Sequence, residues 1–258
     1  MKMTQGGLVG SDDFNDCRIP LRHMELPGPS EVHAWYLDLG LLGRSLQLAL
    51  DEPGGAQPAT RLTLGQLRFA RYFYLRLLLG SYLDIPGKEV SINRSRKGKP
   101  ELDSTVHDSN LHFSIAKSDD RVLIGFSTSG LVGVDLEPAA RRAHKPLAVA
   151  RRYFTARESA ELEALHPDRV NDAFLRAWAC KEAVVKASGE GIANQLCRFS
   201  VQMDPSQSPT ILDFEGDDAS RWSLAVVQPE AAYLGAIATH HSTLSIRAFR
   251  LLPNAAVS

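Results

Sequence analysis

The stretch "GVDLEP", Gly133 to Pro138, decides how this chain is read. It closes an apolar run, Leu123-Ile124-Gly125-Phe126 and then Leu131-Val132-Gly133-Val134, as a strand end does when its neighbours lie in a core. Side chains alternate along a strand, so Asp135 and Glu137 fall on one face and Val134 and Leu136 on the other. Two like charges on one face repel, or drive one carboxyl towards its neutral form, unless a cation stands between them. The stretch therefore predicts a strand that is apolar on one side and, on the other, presents two carboxylates in need of a positive partner.

Working outward, the pattern differs on the two sides of this strand. Upstream, "LHFSIA", "RVLIGFS" and "LVGVDLE" are strand-like, and only "TSG" separates the second from the third, which predicts a hairpin between them. Before these come a basic loop, "NRSRKGKPEL", and a helix from about Leu64, with apolar residues recurring at three and four residue steps through Leu67, Tyr74, Leu75, Leu78 and Leu79. A first strand, "VHAWYLDL", precedes the turn-forming "LDEPGGAQPA", and residues 1–30, rich in Gly, Asp and Pro, read as a poorly ordered extension. Downstream, Thr155 and Glu158 form a capping-box start to "TARESAELEAL", and a longer helix runs from about Val170 to Ser188, ended by Gly189 and Gly191. Short strands follow: "RFSVQM", "TILDFE", "RWSLAVV", "YLGAIAT" and "LSIRAF". The expected fold class is α+β, in two similar-sized halves spanning 31–137 and 138–258.

Composition narrows the function class. At 258 residues, 44% hydrophobic and 23% charged, the chain can bury a core and is an ordinary globular protein, which argues against disorder and collagen-like or repeat architectures. A net charge of -1 carries no nucleic-acid footprint, and the densest basic group, Arg94, Arg96, Lys97 and Lys99, reads as a solvated loop. Cys17, Cys180 and Cys197 have neither metal-ligand spacing nor the look of a disulfide framework. The N-terminus lacks a signal-peptide core, and no run approaches the roughly 20 apolar residues of a membrane span. The expectation is a cytoplasmic protein without membrane or nucleic-acid partners.

The second half of the site lies on the long helix, in "RAWACKEAVVKASGEG". At 3.6 residues per turn Phe174, Trp178 and Val185 share a face, and Glu182 falls on or beside it. Burying a lone carboxylate costs several kcal/mol, so Glu182 needs a partner. Lys186 at i+4 offers one, and a purely structural Glu182–Lys186 pair, with Lys181 in water, is one reading. Taken with Asp135 and Glu137, the alternative is an oxygen-rich pocket for a hard divalent ion such as magnesium, which keeps waters and takes phosphate oxygens as further ligands. Carboxylates beside lysines then imply a phosphate-bearing substrate.

"GVDLEP", "FTARESAELEAL" and "WACKEAVVKASGEGI" closely resemble, in order and in their separation of about 45 residues, the motifs of the Sfp-like 4'-phosphopantetheinyl transferase family. "GKPEL" resembles that family's G-K-P loop, and the similarity spans roughly residues 32–240. The resemblance implies transfer of the 4'-phosphopantetheine arm of coenzyme A to a serine of an apo acyl or peptidyl carrier protein, releasing adenosine 3',5'-bisphosphate. It implies magnesium, with manganese as an alternative, held by Asp135, Glu137 and Glu182. Glu182 would take the serine proton, and Lys186, with Lys181, would meet the pyrophosphate. Lys99, Lys117, Ser118 and Arg71 would contact coenzyme A, Arg68 being the other candidate for the helix arginine. It also implies a monomer of two halves related by a pseudo-twofold axis, with the active site in the cleft between them.

The chain departs from that pattern where the family has Ser-His. Ala116-Lys117 stands there, Lys117 keeping a charge without the imidazole geometry and Ser118 offering a hydroxyl in compensation. That change motivates an alternative, a non-catalytic carrier-protein or coenzyme A binding homologue, and a magnesium-dependent phosphohydrolase is a third reading. His112, between Leu111 and Phe113, is expected to be packed, His240 and His241 to lie in a loop, and Trp178 to lie in the core. Arg141, Arg142, Arg151 and Arg152 read either as a solvated basic face or as a surface for an acidic carrier-protein helix.

Overall fold

The computed structural model describes residues 4–5, 7–50, 61–191 and 195–254, with the backbone alone at 4–5 and 47–50. The expected turn at "LDEPGGAQPA" lies, beyond Leu50, outside the described residues. In chain order the strands are β1 (Thr4–Gln5), β2 (Leu8–Val9), β3 (Phe14–Arg18), β4 (Glu31–Asp38), β5 (Ile92–Arg94), β6 (Pro100–Leu102) and β7 (His112–Ser118). They continue as β8 (Arg121–Ser127), β9 (Val132–Pro138), β10 (Phe199–Val201), β11 (Ile211–Phe214), β12 (Ser223–Glu230), β13 (Tyr233–Thr239) and β14 (Ser245–Leu252). The α-helices are α1 (Leu39–Leu50), α2 (Leu64–Leu83), α3 (Pro146–Tyr153), α4 (Ala156–Glu163) and α5 (Pro167–Ser188). The fold is mixed α+β.

Two sheets form the centre. The first runs β1-β14-β4-β8-β7, with β3 also on β14, and the second runs β2-β12-β13-β9. They pack face to face through Val32, Ala34, Tyr36 and Leu123 of the first and Val132, Val134, Leu136, Ala225, Val227 and Ile237 of the second. On the outer face of the first sheet, Trp35, Leu37, Val122, Ile124 and Phe126 pack against α2 through Tyr74, Leu75, Leu78 and Tyr82. On the outer face of the second, Leu224, Val226, Ala236 and Ala238 pack against α5. Each strand thus uses both faces, which accounts for the near-continuous apolar runs of β4 and β8.

Three expectations are corrected. The predicted β8–β9 hairpin does not form: β8 lies between β4 and β7, while β9 pairs with β13 in the other sheet. The strands face each other across the sheet interface, where a Cβ on Gly125 would come within 2.7 Å of Val134 Cγ1. A division at 137/138 does not follow the sheets either, because β14 returns to lie parallel to β4, from Ser245 beside Glu31 to Leu251 beside Leu37. Nor is the whole lead-in loose: β2 runs parallel to β12, and β3 parallel to β14 with Phe14 buried between the sheets. These segments carry few apolar residues because they take backbone pairing from sheet edges.

Helix α1 was not among the expected elements, although its apolar residues do recur at a helical period, Leu39 and Leu42 facing the core. By contrast α4 begins at the predicted box, with Thr155 Oγ1 accepting from Glu158 N at 3.2 Å and Glu158 Oε2 accepting from Thr155 N at 2.9 Å. Helix α5 starts at Pro167, three residues before the expected start, its first turn fixed by proline at N1. The basic loop folds as the β5–β6 hairpin, and β10 and β11 form a separate pair. Among the described residues no helix is long and apolar enough to cross a membrane.

Candidate active site

Asp135 and Glu137 lie on the face of β9 that meets α5, opposite Val134 and Leu136, as the alternation predicted. The helix reaches this face because residue 133 is glycine: a Cβ there would stand 1.9 Å from Ala183 O and 2.4 Å from Ala187 N. That approach sets Glu182 and Lys186 above Asp135. Lys186 Nζ donates to Asp135 Oδ1 at 2.6 Å, and Arg141 Nη1 pairs with Glu137 Oε2 at 2.6 Å. The cations that the strand demanded are thus two side chains. Arg141, which the sequence suggested only as part of a basic face, is one of them, and its i+4 spacing from Glu137 was the available signal.

Glu182 is 6% exposed, and among the described residues no cation forms an ion pair with it. Burial pushes its carboxyl up to about 7, with Lys186 and Arg141 pulling down and Asp135 and Glu137 pushing further up. Glu137 is also raised, first by burial, with Arg141 opposing and Asp135 adding to the rise. The three carboxylates therefore feel one another, and Lys186 serves Asp135 rather than closing a private pair with Glu182. Asp135 Oδ2 is buried without a hydrogen-bond partner. Leaving a carboxylate oxygen so costs free energy that a ligand would recover.

This donor set suits a hard divalent cation: carboxylate oxygens from two elements, in mutual repulsion, with one buried oxygen unpartnered. As the side chains stand, among the described residues no three His, Cys, Asp or Glu are grouped as a metal site. Lys186 and Arg141 are the cations paired with Asp135 and Glu137 in this arrangement.

Lys181 is not in this cluster. It is fully buried on the far side of α5, its Nζ donating to both carboxylate oxygens of Glu158 at 2.7 Å and to Phe199 O, between the rings of Phe154 and Phe199. Burial lowers its pKa and Glu158 opposes the fall. The role expected for Lys181 at a pyrophosphate is corrected to a bolt between α4, α5 and β10. The i+4 rule explains the split, since Lys186 shares a helix face with Glu182 whereas the adjacent Lys181 points about a quarter turn away.

Lys99 sits at the C-terminus of α5, its Nζ donating to Lys186 O at 2.8 Å and to Val132 O at 3.2 Å. Burial lowers its pKa. With Lys97, Ser114, Lys186, Gly189 and Gly191 it lines a cavity of about 300 Å³ beside the cluster. Lys117 and Ser118 are not among the lining residues: Lys117 is exposed on the Ile115 face of β7, and Ser118 is buried at its end. Arg71 lies on α2, its guanidinium over the Tyr72 ring. His112 is exposed, not packed, and its pKa falls through partial burial and then the charge of Lys99. His240 meets the Trp222 ring at a tilt of 56°, while Trp178, only partly buried, stacks on Phe154 and lies tilted against Phe174. A larger cavity, about 600 Å³, lies at Ser208, Thr210, Ser223, Thr243 and Ser245, and no ionisable side chain lines it.

Comparison with known proteins bears on this cluster. Residues 131–238 match the model of the 4'-phosphopantetheinyl transferase superfamily. The chain is 28% identical over 241 residues to the 4'-phosphopantetheinyl transferase HetI of Nostoc sp., covering 84% of this chain and 94% of that one. It is 33% identical over 153 residues to a putative 4'-phosphopantetheinyl transferase, slr0495, of Synechocystis sp., covering 58% of this chain and 60% of the relative. It is 26% identical over 189 residues to the human L-aminoadipate-semialdehyde dehydrogenase-phosphopantetheinyl transferase, covering 65% and 61%. The chain thus spans about three fifths of the length of the latter two. The segment similar to the 4'-phosphopantetheinyl transferase superfamily carries both β9 and α5, with all three carboxylates and Lys186.

Proposed function

We propose that the protein transfers the 4'-phosphopantetheine arm of coenzyme A to a serine of an apo acyl or peptidyl carrier protein, as a holo-[acyl-carrier-protein] synthase. The observation that carries this reading is the Asp135–Glu137–Glu182 group under α5, with Lys186 bonded to Asp135 and one Asp135 oxygen left unpartnered. In the reaction the serine oxygen forms a bond to the phosphorus next to the pantetheine, the pyrophosphate P–O bond breaks, and adenosine 3',5'-bisphosphate leaves. Asp135, Glu137 and Glu182 would hold magnesium or manganese, which when bound supplies charge to neutralise the diphosphate oxygens.

The chain's own groups do the rest. Glu182, with a carboxyl near neutral pKa, accepts the serine proton. Lys186, freed from Asp135, meets the negative charge that gathers on the leaving oxygens. Lys97 and Lys99, on the cavity beside α5, hold the anionic part of the donor, with Arg71, Lys117 and Ser118 further along its path. The donor-binding cleft lies between the two sheet-and-helix layers, related by a pseudo-twofold axis, with 31–137 and 138–258 each supplying most of one layer and β9 and β14 crossing to the other. The matching layers support this, each sheet carrying one long helix on its outer face. A cytoplasmic monomer is the setting we infer.

Incubation of the pure protein with coenzyme A, magnesium and an apo carrier protein tests the reading by intact mass. A gain of one phosphopantetheine on the carrier is expected, and its loss in Asp135→Ala and Glu182→Ala with folding retained. The Ala116-Lys117 departure favours one second reading, a non-catalytic binding homologue, for which the carrier would bind without gaining mass. Release of phosphate without a carrier would indicate a phosphohydrolase instead.

A further inference from the structure

Helix α2 has two apolar stripes, and only one is covered. Ala70, Tyr74, Leu75, Leu78, Leu79 and Tyr82 are buried towards the first sheet. On the opposite side Phe69, Tyr72, Phe73, Arg76 and Leu77 fall at i, i+3, i+4, i+7 and i+8, and line a groove of about 510 Å³. Phe69 is 60% exposed and Phe73 39%, their rings stacked at 6.2 Å. The far wall of the groove is the turn at Gly87 and Lys88. It packs closely on α2 because Gly80 and Gly87 lack side chains: a Cβ on Gly80 would stand 2.6 Å from Ile85 O, and one on Gly87 3.0 Å from Arg76 O. A preformed apolar channel with rigid aromatic walls on a surface helix is built to receive something.

Charge says what. From Arg61 to Lys99 the sequence has nine Lys and Arg against two acids, Asp84 and Glu89, in a chain whose net charge is -1. Helix α2 contains no acid at all. Arg76 and Lys88 line the groove, and Arg94 donates to Tyr72 Oη at 3.0 Å at its rim. Among the described residues none of these three cations pairs with a carboxylate, and none has a further unstated contact. The chain's own "DEPGGAQPAT", residues 51–60, has no aromatic side chain and no aliphatic one larger than proline to fill an aromatic channel. The rim also connects to the candidate site, since Arg94 donates to Gly98 O at 2.9 Å and the next residue, Lys99, clamps the end of α5.

We infer that the α2 groove docks an acidic amphipathic helix of the acceptor protein, its apolar face on Phe69 and Phe73 and its carboxylates on Arg76, Lys88 and Arg94. This rests on the transfer reading above, and deepens it by naming where the acceptor is held. The groove supplies affinity for the acceptor; none of its lining residues belongs to the carboxylate group or the donor cavity, which it meets only at the rim, where Arg94 donates to Gly98 O.

Steady-state transfer to an apo acyl carrier protein, with carrier and coenzyme A varied separately, tests it. Phe69→Ser with Phe73→Ser, both at exposed positions, is expected to raise KM for the carrier at least tenfold while leaving kcat and KM for coenzyme A unchanged. Arg76→Glu with Lys88→Glu is expected to do the same and to flatten the rise of carrier KM with added salt that the unmodified protein shows. Unchanged carrier KM in both double variants overturns the docking surface and leaves the transfer reading standing. No transfer by the unmodified protein instead overturns the transfer reading, and this inference with it. Sedimentation showing a dimer that Phe69→Ser with Phe73→Ser converts to a monomer assigns the groove to a second copy of the chain and overturns the acceptor assignment.

Discussion

Lysines 181 and 186 are five residues apart and do opposite things. Lys181 is dry and fully paired, holding Glu158, which also accepts from Val201 N at 2.8 Å. Lys186 is 31% exposed at its side chain and holds a carboxylate whose other oxygen is free. A buried pair is costly to break on one side only, because the surviving charge has no solvent. Lys181→Met is therefore expected to destabilise the fold by about 3–5 kcal/mol, and Glu158→Gln added to it to restore most of that loss. Urea unfolding of the single and double variants reads both, and equal stabilities of the two would contradict the bolt assignment. The sequence shows both lysines near Glu182 but cannot say which side of α5 faces β9. That depends on where α4 lands, a contact between residues 23 positions apart.

At the scale of elements, the site exists because α5 lies almost against β9. Gly133→Ala is expected to cost about 3 kcal/mol or more, since its Cβ meets helix backbone rather than a side chain that can turn aside. Thermal unfolding measures that loss, and a stability equal to the parent would mean that the helix does not sit where Gly133 permits. The first sheet is tied to α2 differently. Trp35 Nε1 donates to Tyr82 Oη at 2.9 Å, Tyr82 Oη shares a hydrogen bond with His33 Nδ1 at 2.8 Å, and His33 Nε2 lies 3.4 Å from Glu31 Oε2. Burial pushes the His33 imidazole down to about 4, with Glu31 opposing and Arg247 assisting. The folded state therefore binds fewer protons than the unfolded chain between the ordinary value of 6.5 and that point. Stability is present above pH 6.5 and is lost as pH falls towards 4, by up to about 3 kcal/mol. His33→Gln, which retains an acceptor for Tyr82, is expected to flatten that acid limb in urea midpoints measured from pH 7 to 4. An unaltered limb would assign the loss to other groups.

The whole molecule is held by strands that change sides. β9 leaves the first sheet's part of the chain to edge the second, and β14 comes back from the second to lie between β4 and the N-terminal strands. Ending the chain after Ser242 removes β14 with Phe249, and is expected to abolish cooperative unfolding and expose Trp35, which stacks on Phe249 in the full chain, as intrinsic fluorescence would report. Retention of a sharp transition would contradict this exchange. Much of the rest was legible because it is local: the alternation at Asp135 and Glu137, the Thr155–Glu158 cap, and the long helix that carries Glu182 and Lys186 one turn apart. What was not legible is non-local. The pairing of β14 with β4 joins residues more than 200 positions apart, and "TSG" suits a hairpin as well as a crossing between sheets.

The account stands on Asp135, Glu137 and Glu182 acting on one ion at the α5–β9 contact. Electron paramagnetic resonance of Mn²⁺ titrated into the protein with coenzyme A present tests that most directly. The account expects one tight site per chain that is lost in Asp135→Asn and equally in Glu182→Gln. A site kept at full affinity in either variant would contradict it.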